Sequence, residues 1–508
     1  QGAIVADNGA VYLTAKGKDA LSRAVVNHSG IIEANRLSHN AKGEVILLAD
    51  MQTGQTNVSG RISAQGMNEQ DGGFIETSAA TVKIADSASI TTLSAQGKTG
   101  LWLIDPTDFT IAVSGGDMAG SILSSSLNST DVKIESTQGQ SGTDGNIYVN
   151  DAVSWSASSD LTLSAQNNIY INKDITSTDT TKTAGLNLEY GLASVKQDNQ
   201  SDYYLAKGVK VNLQAGDNFS TKLGSDGSTM LYTVITDLGK AGSTTGKDLQ
   251  GINGGLAKNY VLGTDIDANT TSTWNANAGF KPLGNDTTQF TGRFDGLGHS
   301  ITGLTINRPN ESLVGLFGYT NGSDIRNVHL QGVNVKGGSN AGGLVGYNKS
   351  GAISNSSAEG NVSANATSAD AYVGGLVGQN FGAISNSSAT GNVSATGGAA
   401  YAGGLMGWND SGVISNSSAK GNVSATGASY ASAGGLVGQS WHGEISNSSA
   451  EGNVSANATG GYAYAGGLVG RNEDEAISNS SAIGKVSATG AGASVGGLVG
   501  LNDNGAIS

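Results

Sequence analysis

The sequence predicts an all-β chain, a right-handed parallel β-helix extended into an elongated rod. The last third repeats GGLVG (once GGLMG), a polar turn, ISNSSA, and then GNVSA or GKVSA. The clean copies begin 29 to 32 residues apart, at Gly342, Gly374, Gly403, Gly434, Gly466 and Gly496. The preceding residues consist of short apolar runs separated by Gly, Asn and Asp. Such a period is typical of a solenoid, in which each repeat buries its apolar face only against its neighbours.

The composition supports a stacked array and disfavours several classes of function. Among 508 residues there are 78 Gly, and charged residues are only 13%, about half the usual share. The absence of Cys excludes disulfides and thiolate metal sites. The formal charge of -14 disfavours nucleic acid as a partner, which binds clustered Lys and Arg. No apolar run of 18 residues occurs, which predicts no membrane insertion.

Short β-type runs fill the first part of the chain. AVYLTA, EVILLAD, GFIETSA and TVKIAD carry apolar residues at period two, and the gaps between them are too short for helical crossovers. Parallel stacking of such coils at about 4.8 Å predicts roughly 20 coils for the whole chain. In LWLIDPTDFTIA, Asp105 precedes Pro106 and predicts a turn, because Pro disfavours helical backbone in the residue before it.

The alternation continues from residue 113 to residue 180 and then loosens. Residues 181–229 are expected to leave the coil path as a loop or hairpin. KDALSRAVV (18–26) and KDLQGI (247–252) are the candidate helical turns. We therefore divide the chain into a first β-helix (1–180), a β-helix with an irregular or protruding insertion (181–310) and the repeats (311–508). Both ends interrupt a pattern, which predicts a fragment lacking its secretion domain and anchor.

Two families resemble parts of this sequence. DGGFIETSAATVKIAD, TTLSAQGKTGLWLIDPTDFTIA and DGNIYVNDAVSWSASSDLTLSAQNNIYIN resemble filamentous-haemagglutinin-type adhesins, including high-molecular-weight adhesins exported by two-partner secretion. FTGRFDGLGHSITGLTI followed by VGLFG and GGLVG resembles the entry into GLUG-type repeats of bacterial surface proteins. The resemblance implies a secreted or cell-surface chain attached at the Gram-negative outer membrane, with an outer-membrane transporter as an export partner.

Each repeat supplies a core and a surface. Leu344, Val345, Ile353 and Val362 belong to one coil, and equivalent residues of stacked coils are expected to form internal columns. The Asn of each ISNSSA segment is expected to form an amide ladder; the residues are Asn355, Asn386, Asn416, Asn447 and Asn479. The paired glycines before Leu predict a bend or a close backbone approach.

Catalytic chemistry finds little support in the sequence. Asp265 and Asp267 lie on one face of a strand at a spacing that paired acid/base carboxylates use, and Asp105 and Asp108 form a second pair. Turn or edge roles are favoured for both pairs. The five His form no HExxH motif, and the GG pairs lack a following Lys-Ser/Thr. The acidic turn 473–475 is interpreted as a solvated loop rather than a Ca²⁺ site. We predict no enzyme, no cofactor and no metal.

Two sets of residues are candidate surface sites. Aromatic residues flanking GGLVG break the repeat and are candidates for recognition, with local capping of the core as the alternative; they are Tyr347, Tyr372, Phe381, Tyr401, Trp408, Tyr430, Trp441, Tyr462 and Tyr464. Asn-x-Ser/Thr sequons are abundant, with ordinary turn chemistry as the alternative; the candidate glycosylated residues are Asn361, Asn392, Asn422 and Asn453.

Together these features predict a non-catalytic adhesin passenger. The rod is expected to mediate adhesion to a host-cell receptor, to glycans, or to extracellular or biofilm matrix. Two alternatives stay open at this point: a polysaccharide-active β-helix enzyme using Asp265, and a passive stalk without binding activity.

Overall fold

The computed structural model describes residues 2–17, 24–137, 144–192, 195, 199–366 and 369–508. About 51% of the chain is strand and 5% is helix, and the strands form a parallel β-solenoid of about 16 turns. The predicted parallel β-helix is confirmed. The prediction of roughly 20 coils is too high, because equivalent strands of neighbouring coils, such as Glu44–Leu48 and Phe74–Ser78, begin 30 residues apart. The chain divides into two compact units, residues 1–234 and 235–508.

The described residues of unit 1 (1–234) form five groups of stacked parallel strands. The longest group comprises Ala10–Thr14, Glu44–Leu48, Phe74–Ser78, Leu101–Asp105, Asp131–Ser136, Leu161–Ala165, Leu186–Tyr190 and Gly216–Leu223. The second comprises Ala3–Val5, Ile31–Glu33, Arg61–Ser63 and Ser89–Thr91, and the third comprises Val25–His28, Gln55–Val58 and Thr81–Ile84. The others comprise Phe109–Ile111, Ile147–Val149, Ile169–Ile171 and Tyr203–Leu205, and Val153–Trp155, Ile175–Ser177 and Val211–Asn212.

A helix at Gly120–Leu127 interrupts these strands and was not predicted. Leu123 and Leu127 lie one helical turn apart and are both fully buried. Four of the helix's eight residues are Ser, a residue that favours turns and caps over helix interiors, so the local sequence resembles a loop. The predicted turn at Asp105–Pro106 is confirmed, because one strand ends at Asp105 and the next begins at Phe109.

The segment expected to leave the coils (181–229) does so only in part: its described strands continue the parallel stack, and the strand that follows turns back as an antiparallel hairpin. Leu186–Tyr190 pairs in parallel with Leu161–Ala165 and with Gly216–Leu223. Met230–Ile235 then pairs antiparallel with Gly216–Leu223, opposing Tyr232 to Phe219. Residues 193–194 and 196–198 lie outside the described residues. Of the two candidate helical turns, KDLQGI overlaps a 3₁₀ helix at Gln250–Gly254, whereas residues 18–23 of the other lie outside the described residues.

In the part of unit 2 (235–508) that the structure describes, the strands form three parallel sheets. The first, the ISN sheet, comprises Tyr260–Leu262, Arg293–Asp295, Ser323–Arg326, Gly351–Ser354, Ala383–Ser385, Val413–Ser415, Glu444–Ser446 and Ala476–Ser478. The second, the LVG sheet, comprises Phe317–Thr320, Val345–Asn348, Val377–Asn380, Met406–Asp410, Val437–Trp441, Val469–Glu473 and Val499–Asp503.

The third, the NVS sheet, runs along the remaining side of each coil. It comprises Ile266–Asp267, Ser300–Thr302, Thr305–Arg308, Leu313–Val314, His329–Gly337, Asn340–Gly342, Ser357–Asn365, Ala371–Gly374, Ser388–Thr390, Val393–Gly403, Ser418–Lys420, Val423–Gly434, Ser449–Glu451, Val454–Ala458, Tyr462–Gly466, Ser481–Ile483, Val486–Thr489 and Gly492–Gly496. A short 3₁₀ helix lies at Asn269–Thr273, and the following Trp274–Asn277 forms a tight turn in which Asn275 and Ala276 have positive φ of 51° and 55°.

The predicted core columns are confirmed in unit 2. Val345 pairs with Val377, Ile353 with Ile384, and all of these side chains are at most 1% exposed. The glycines act through close backbone approach. A Cβ on Gly403 would overlap the Met406 carbonyl oxygen across the bend and lie 2.6 Å from the Gly438 nitrogen. GGLVG therefore lets two strands of one coil meet backbone to backbone.

The amide ladder lies at a different position from the one predicted. The ISNSSA asparagines are exposed and form corners with positive φ, such as 48° at Asn355, a backbone region that Asn tolerates. The buried ladder belongs instead to Asn residues at or next to the end of several LVG strands, such as Asn348, Asn380 and Asn409. Nδ2 of Asn348 donates to Oδ1 of Asn380 at 2.7 Å, and Nδ2 of Asn380 donates to Oδ1 of Asn409 at 3.0 Å. Inward-facing amides need such partners, because a buried unpaired polar group is costly.

This ladder gives a stability prediction. Asn380→Leu removes a donor and an acceptor and leaves its buried neighbours Asn348 and Asn409 short of one bond each. We expect a loss of about 2–4 kcal/mol from the free energy of unfolding, measured as a lower urea midpoint by circular dichroism. Asn365→Ala, at an exposed strand position, is the control and should change stability by less than about 0.5 kcal/mol. Equal midpoints for the two variants would contradict a stabilising ladder.

Candidate functional site

Ten aromatic side chains lie together on one face of unit 2, where the LVG sheet meets the adjoining strands of the NVS sheet. We call this set the aromatic surface. It contains all nine predicted aromatic residues and one that was missed, and consists of Tyr319, Tyr347, Tyr372, Phe381, Tyr401, Trp408, Tyr430, Trp441, Tyr462 and Tyr464. Parallel in-register pairing brings these rings together, because equivalent turns stack from coil to coil.

Tyrosines form a continuous column at the centre of the aromatic surface. Tyr372 and Tyr401 stack with ring centroids 4.8 Å apart and planes 5° apart. The next residue in this register is Ser432, and Tyr430 fills the gap with its ring 5.3 Å from Tyr401 and 5.5 Å from Tyr464. Burial raises the pKa of the Tyr372, Tyr401 and Tyr430 hydroxyls. They are therefore neutral hydrogen-bonding groups at physiological pH.

Two indoles pack edge-on against this column. The Trp408 ring lies 5.0 Å from Tyr401 at 64° and 5.2 Å from Trp441 at 62°. Edge-to-face geometry is the arrangement that aromatic quadrupoles favour. The Nε1 atoms of both indoles are buried and have no hydrogen-bond acceptor among the described residues. Packing against neighbouring rings fixes both side chains before any ligand arrives.

The two ends of the aromatic surface differ in exposure. At one end Tyr319, Tyr347 and Phe381 follow one another with centroids 4.7 and 5.4 Å apart. Burial, together with Tyr319 and Asp410, raises the pKa of the Tyr347 hydroxyl. At the other end Tyr462 is 59% exposed, with its ring 6.2 Å from Tyr464. This end therefore presents the most open ring of the set.

A polar network borders the aromatic surface near Tyr430 and Tyr464. The Tyr430 hydroxyl donates to Oε1 of Gln439 at 3.0 Å, and Nε2 of Gln439 donates to Oε1 of Glu473 at 3.1 Å. Arg471 forms ion pairs with Glu473 at 2.8 Å and Asp503 at 3.0 Å. Its guanidinium also lies 5.9 Å from the Tyr464 ring centroid. These bonds hold amide, hydroxyl and carboxylate groups at fixed positions beside the rings.

The arrangement places apolar ring area beside hydrogen-bonding groups. Rigid half-buried rings offer apolar contact area at low entropic cost, and neighbouring hydroxyls and amides supply hydrogen bonds. Where the rings stack, their faces contact one another, so a ligand meets ring edges and hydroxyls there. Local capping of the core by these rings stays the alternative role.

The predicted carboxylate pairs are bonded within the coil corners. Oδ1 of Asp265 accepts from the Ser300 backbone nitrogen at 2.9 Å and lies 3.3 Å from Nδ1 of the buried His299. Oδ1 of Asp267 accepts from the backbone nitrogen of Asn269 at 2.9 Å. Each carboxylate thus orders a different stretch of backbone.

The carboxyl groups of the second predicted pair, Asp105 and Asp108, also have different environments. Burial, together with Glu135 and Glu76, raises the pKa of Asp105 to about 7. Asp108 instead accepts from the Asn146 backbone nitrogen at 3.0 Å. The two carboxylates have different environments and different roles in the fold.

The three acidic side chains of the 473–475 turn have different environments. Glu473 pairs with Arg471, Asp474 is exposed with φ of 55°, and Glu475 is 0% exposed. The turn is thus not the solvated loop expected, because one of its carboxyls is inside the coil. Across the described ranges, no three His, Cys, Asp or Glu side chains are grouped closely enough to hold a metal ion.

The predicted glycosylation residues form an exposed column on the NVS sheet. Oδ1 of Asn361 accepts from the Asn392 backbone nitrogen at 3.1 Å, and Asn392 and Asn422 repeat the bond at 3.3 and 3.2 Å. Oδ1 of Asn453 accepts the next bond of this series from the Lys485 backbone nitrogen at 3.1 Å. The side-chain oxygens are therefore used by the fold, and modification of these residues stays a prediction.

Sequence reasoning missed several residues of this surface. Gln379, Gln439 and Arg471 share the strand position of Tyr347 and Trp408, and Tyr319 holds it in the degenerate first repeat. Aligning the residue that follows GGLVG in every copy would have found them all.

Unit 1 carries a separate stack of tyrosines, which we call the unit 1 tyrosine stack. Tyr148 and Tyr170 lie 5.0 Å apart with planes 8° apart, and Tyr170 and Tyr204 lie 5.4 Å apart. Their parallel planes follow from the in-register pairing of the three strands that carry them. Ring stacking alone is thus not peculiar to the aromatic surface.

Comparisons with known proteins agree with the repeat assignment. The profile of the GLUG motif matches residues 337–363, 369–394, 398–424, 429–455 and 461–487. Halomucin of Haloquadratum walsbyi is 44% identical over 137 residues, which are 26% of this chain and 1% of that protein's length. A crystal structure described as a candidate immunoglobulin A1 protease of Bacteroides ovatus aligns with a TM-score of 0.37 and 20% identity. That alignment covers 53% of this chain and 84% of the other.

The predicted GLUG repeats are therefore confirmed. In the part of the chain that the structure describes, no helix has the length and apolar character needed to cross a membrane.

Proposed function

We propose that this chain is the β-solenoid part of a secreted or cell-surface adhesin, and that unit 2 binds glycans through the aromatic surface. The observation that carries the proposal is the aromatic surface itself, in which ten rings from successive coils lie on one face. Rings with adjacent amides and hydroxyls suit sugars, whose C–H faces pack on aromatics while their hydroxyls hydrogen bond.

Two further findings support an extracellular setting. The GLUG profile matches five segments, and part of the chain is similar to a protein named as a mucin. The more specific proposal, an adhesin passenger exported by two-partner secretion through an outer-membrane transporter, rests on the resemblance of residues 2–176 to haemagglutinin-type adhesins. Attachment at a Gram-negative outer membrane belongs to the same proposal. A solenoid suits this role because its repeats multiply one binding position along the stack.

The proposal predicts glycan binding that depends on the aromatic surface. The full chain should bind a subset of saccharides on a glycan array. Trp408→Ala combined with Trp441→Ala should weaken that binding about fivefold or more, because each ring contributes about 0.5–1.5 kcal/mol beyond its buried area. Tyr462→Ala is a second test that leaves the packed column in place, since Tyr462 is largely exposed.

The control is Tyr170→Ala, which removes a stacked ring from the unit 1 tyrosine stack. It should retain full glycan binding, and circular dichroism should confirm that all variants fold. Absence of binding to any saccharide would refute the glycan proposal and favour a passive stalk. Undiminished binding in both tests would place the ligand elsewhere on the chain.

A further inference from the structure

We infer that the aromatic surface binds a cationic amino-sugar glycan, with the ammonium group held at Trp441 between carboxylates of adjacent coils. This inference rests on the proposed function and names its ligand class. It starts from one register position of the LVG sheet, in which Asp410 pairs with Trp441, Trp441 with Glu473, and Glu473 with Asp503.

Strand pairing places these side chains in one column. Neighbouring parallel strands lie about 4.8 Å apart, so the Trp441 indole has a carboxylate on the coil before it and another on the coil after it. Trp408 adds a second indole 5.2 Å from Trp441. Glu473 shares its carboxylate with Arg471, so Asp410 is the carboxylate that would contact the ligand most directly. Indoles beside a carboxylate are the groups that recognise an ammonium ion, through cation–π attraction and charge-assisted hydrogen bonds.

The charges around the aromatic surface have one predominant sign. Four carboxylates border it, on Asp370, Asp410, Glu473 and Asp503. Arg471 is the cation among them, and it is ion-paired with Glu473 and Asp503. The local formal balance is therefore negative. An anionic saccharide would meet repulsion here, whereas a cationic one would be attracted.

Other charged groups in neighbouring turns do not reverse this balance at Trp441. The His442 ring packs edge-on against the Trp441 ring with centroids 6.1 Å apart. Its Nε2 lies 3.8 Å from the Asp474 carboxylate, which offsets its charge, and both side chains are more than half exposed. Lys349 is exposed and precedes Phe381 by one coil, which places it three coils from Trp441. Surface charges at that distance are largely screened at physiological salt.

The test compares matched oligosaccharides on the full chain by calorimetry. A glucosamine hexamer, which carries ammonium groups at acidic pH, should bind at least threefold more tightly than an N-acetylglucosamine hexamer at low salt. A hyaluronan oligosaccharide should bind more weakly than either. The preference for the glucosamine hexamer should shrink as salt is added and as the pH rises and the amines lose their protons.

Asp410→Asn removes the charge of one carboxylate beside Trp441 and preserves the shape of the side chain. It should weaken glucosamine-hexamer binding about two- to fivefold while leaving N-acetylglucosamine binding unchanged. Glu451→Gln is the matched control, because Glu451 lies exposed on the NVS sheet and pairs with Lys420. It should alter neither affinity.

The outcomes separate the two proposals. Failure of every saccharide to bind refutes the proposed function. Equal or tighter binding of the acetylated or anionic oligosaccharide, or an Asp410→Asn variant with wild-type affinities, refutes the ammonium inference and leaves glycan binding intact. Binding of choline as tight as that of the glucosamine hexamer would show a cation site without saccharide recognition, which also contradicts the inference.

Discussion

Gly403→Ala should destabilise unit 2 by about 3 kcal/mol or more, because a single added methyl group has no room at the bend. The Cβ would overlap the Met406 carbonyl oxygen and lie 2.6 Å from the Gly438 nitrogen, and backbone atoms cannot rotate away as a side chain can. Overpacking of this kind typically costs about 1–3 kcal/mol and sometimes more. In a solenoid the cost spreads to neighbouring coils, since each repeat is stabilised by its interfaces. Urea unfolding followed by circular dichroism should show an earlier transition for part of the chain.

Gly398→Ala provides the control within the same strand. Its nearest heavy atom, the Ala369 carbonyl oxygen, would lie 3.4 Å from the new Cβ, an ordinary contact. The change should be neutral or should stabilise by about 0.4–1 kcal/mol through the lower entropy of the unfolded chain. If the Gly403→Ala and Gly398→Ala variants unfold at the same urea concentration, close backbone approach does not explain why the glycines of GGLVG recur in every copy of the repeat.

The sequence predicted the solenoid and the core columns because each depends on a repeated residue, and it predicted the aromatic candidates because they flank the repeated GGLVG segment. Leu344 and Val345 recur at one place in every copy, and a parallel stack brings recurring residues into register whatever the details of the corners. Nine of the ten rings of the aromatic surface were found in this way. The tenth, Tyr319, lies in a degenerate repeat whose sequence does not match the GGLVG motif closely enough to be aligned with the others.

Features that depend on the direction of a side chain were predicted less well. The ISNSSA Asn and the Asn after GGLVG recur equally often, and only the backbone decides which points inward. Asn355 occupies a corner with positive φ and faces solvent, whereas Asn348 ends a strand and faces the core. Ser432 has no ring at the position where neighbouring coils carry Tyr, and Tyr430 fills that space. This packing involves several coils, so it cannot be predicted from one repeat.

The buried carboxyl of Glu475 arises from the same packing between coils. The Asn ladder is interrupted at Ser440, whose shorter side chain accepts from Nδ2 of Asn409 at 3.2 Å. Oε1 of Glu475 lies 3.5 Å from the same Nδ2, while its Oε2 is buried and has no hydrogen-bond partner among the described residues. Burial raises the pKa of this carboxyl to about 8, although the bond to Asn409 partly opposes the shift. Folded protein at neutral pH therefore keeps this carboxyl protonated.

This proton makes the stability of unit 2 depend on pH in a defined direction. An unfolded chain releases the proton near pH 4.5, whereas the folded chain holds it up to about pH 8. Between these values the folded state binds more protons, so the free energy of unfolding falls as the pH rises, by about 1.4 kcal/mol per pH unit. The contribution of Glu475 is fully present below pH 4.5 and is lost by about pH 8, a decrease of about 4–5 kcal/mol over the window.

Glu475→Gln should remove this slope and raise stability most at the alkaline end of the window, because the amide stays neutral at every pH. Urea midpoints measured from pH 4.5 to pH 9 should diverge steadily, with the variant the more stable protein above pH 7. Glu444→Gln removes an exposed carboxylate from the preceding coil and should follow the wild-type curve. Parallel curves for wild type and Glu475→Gln would show that the carboxyl reaches solvent in the folded protein. Because this carboxyl takes the place of a ladder amide, the pH effect should also disappear when Ser440→Asn restores the ladder and excludes the acid.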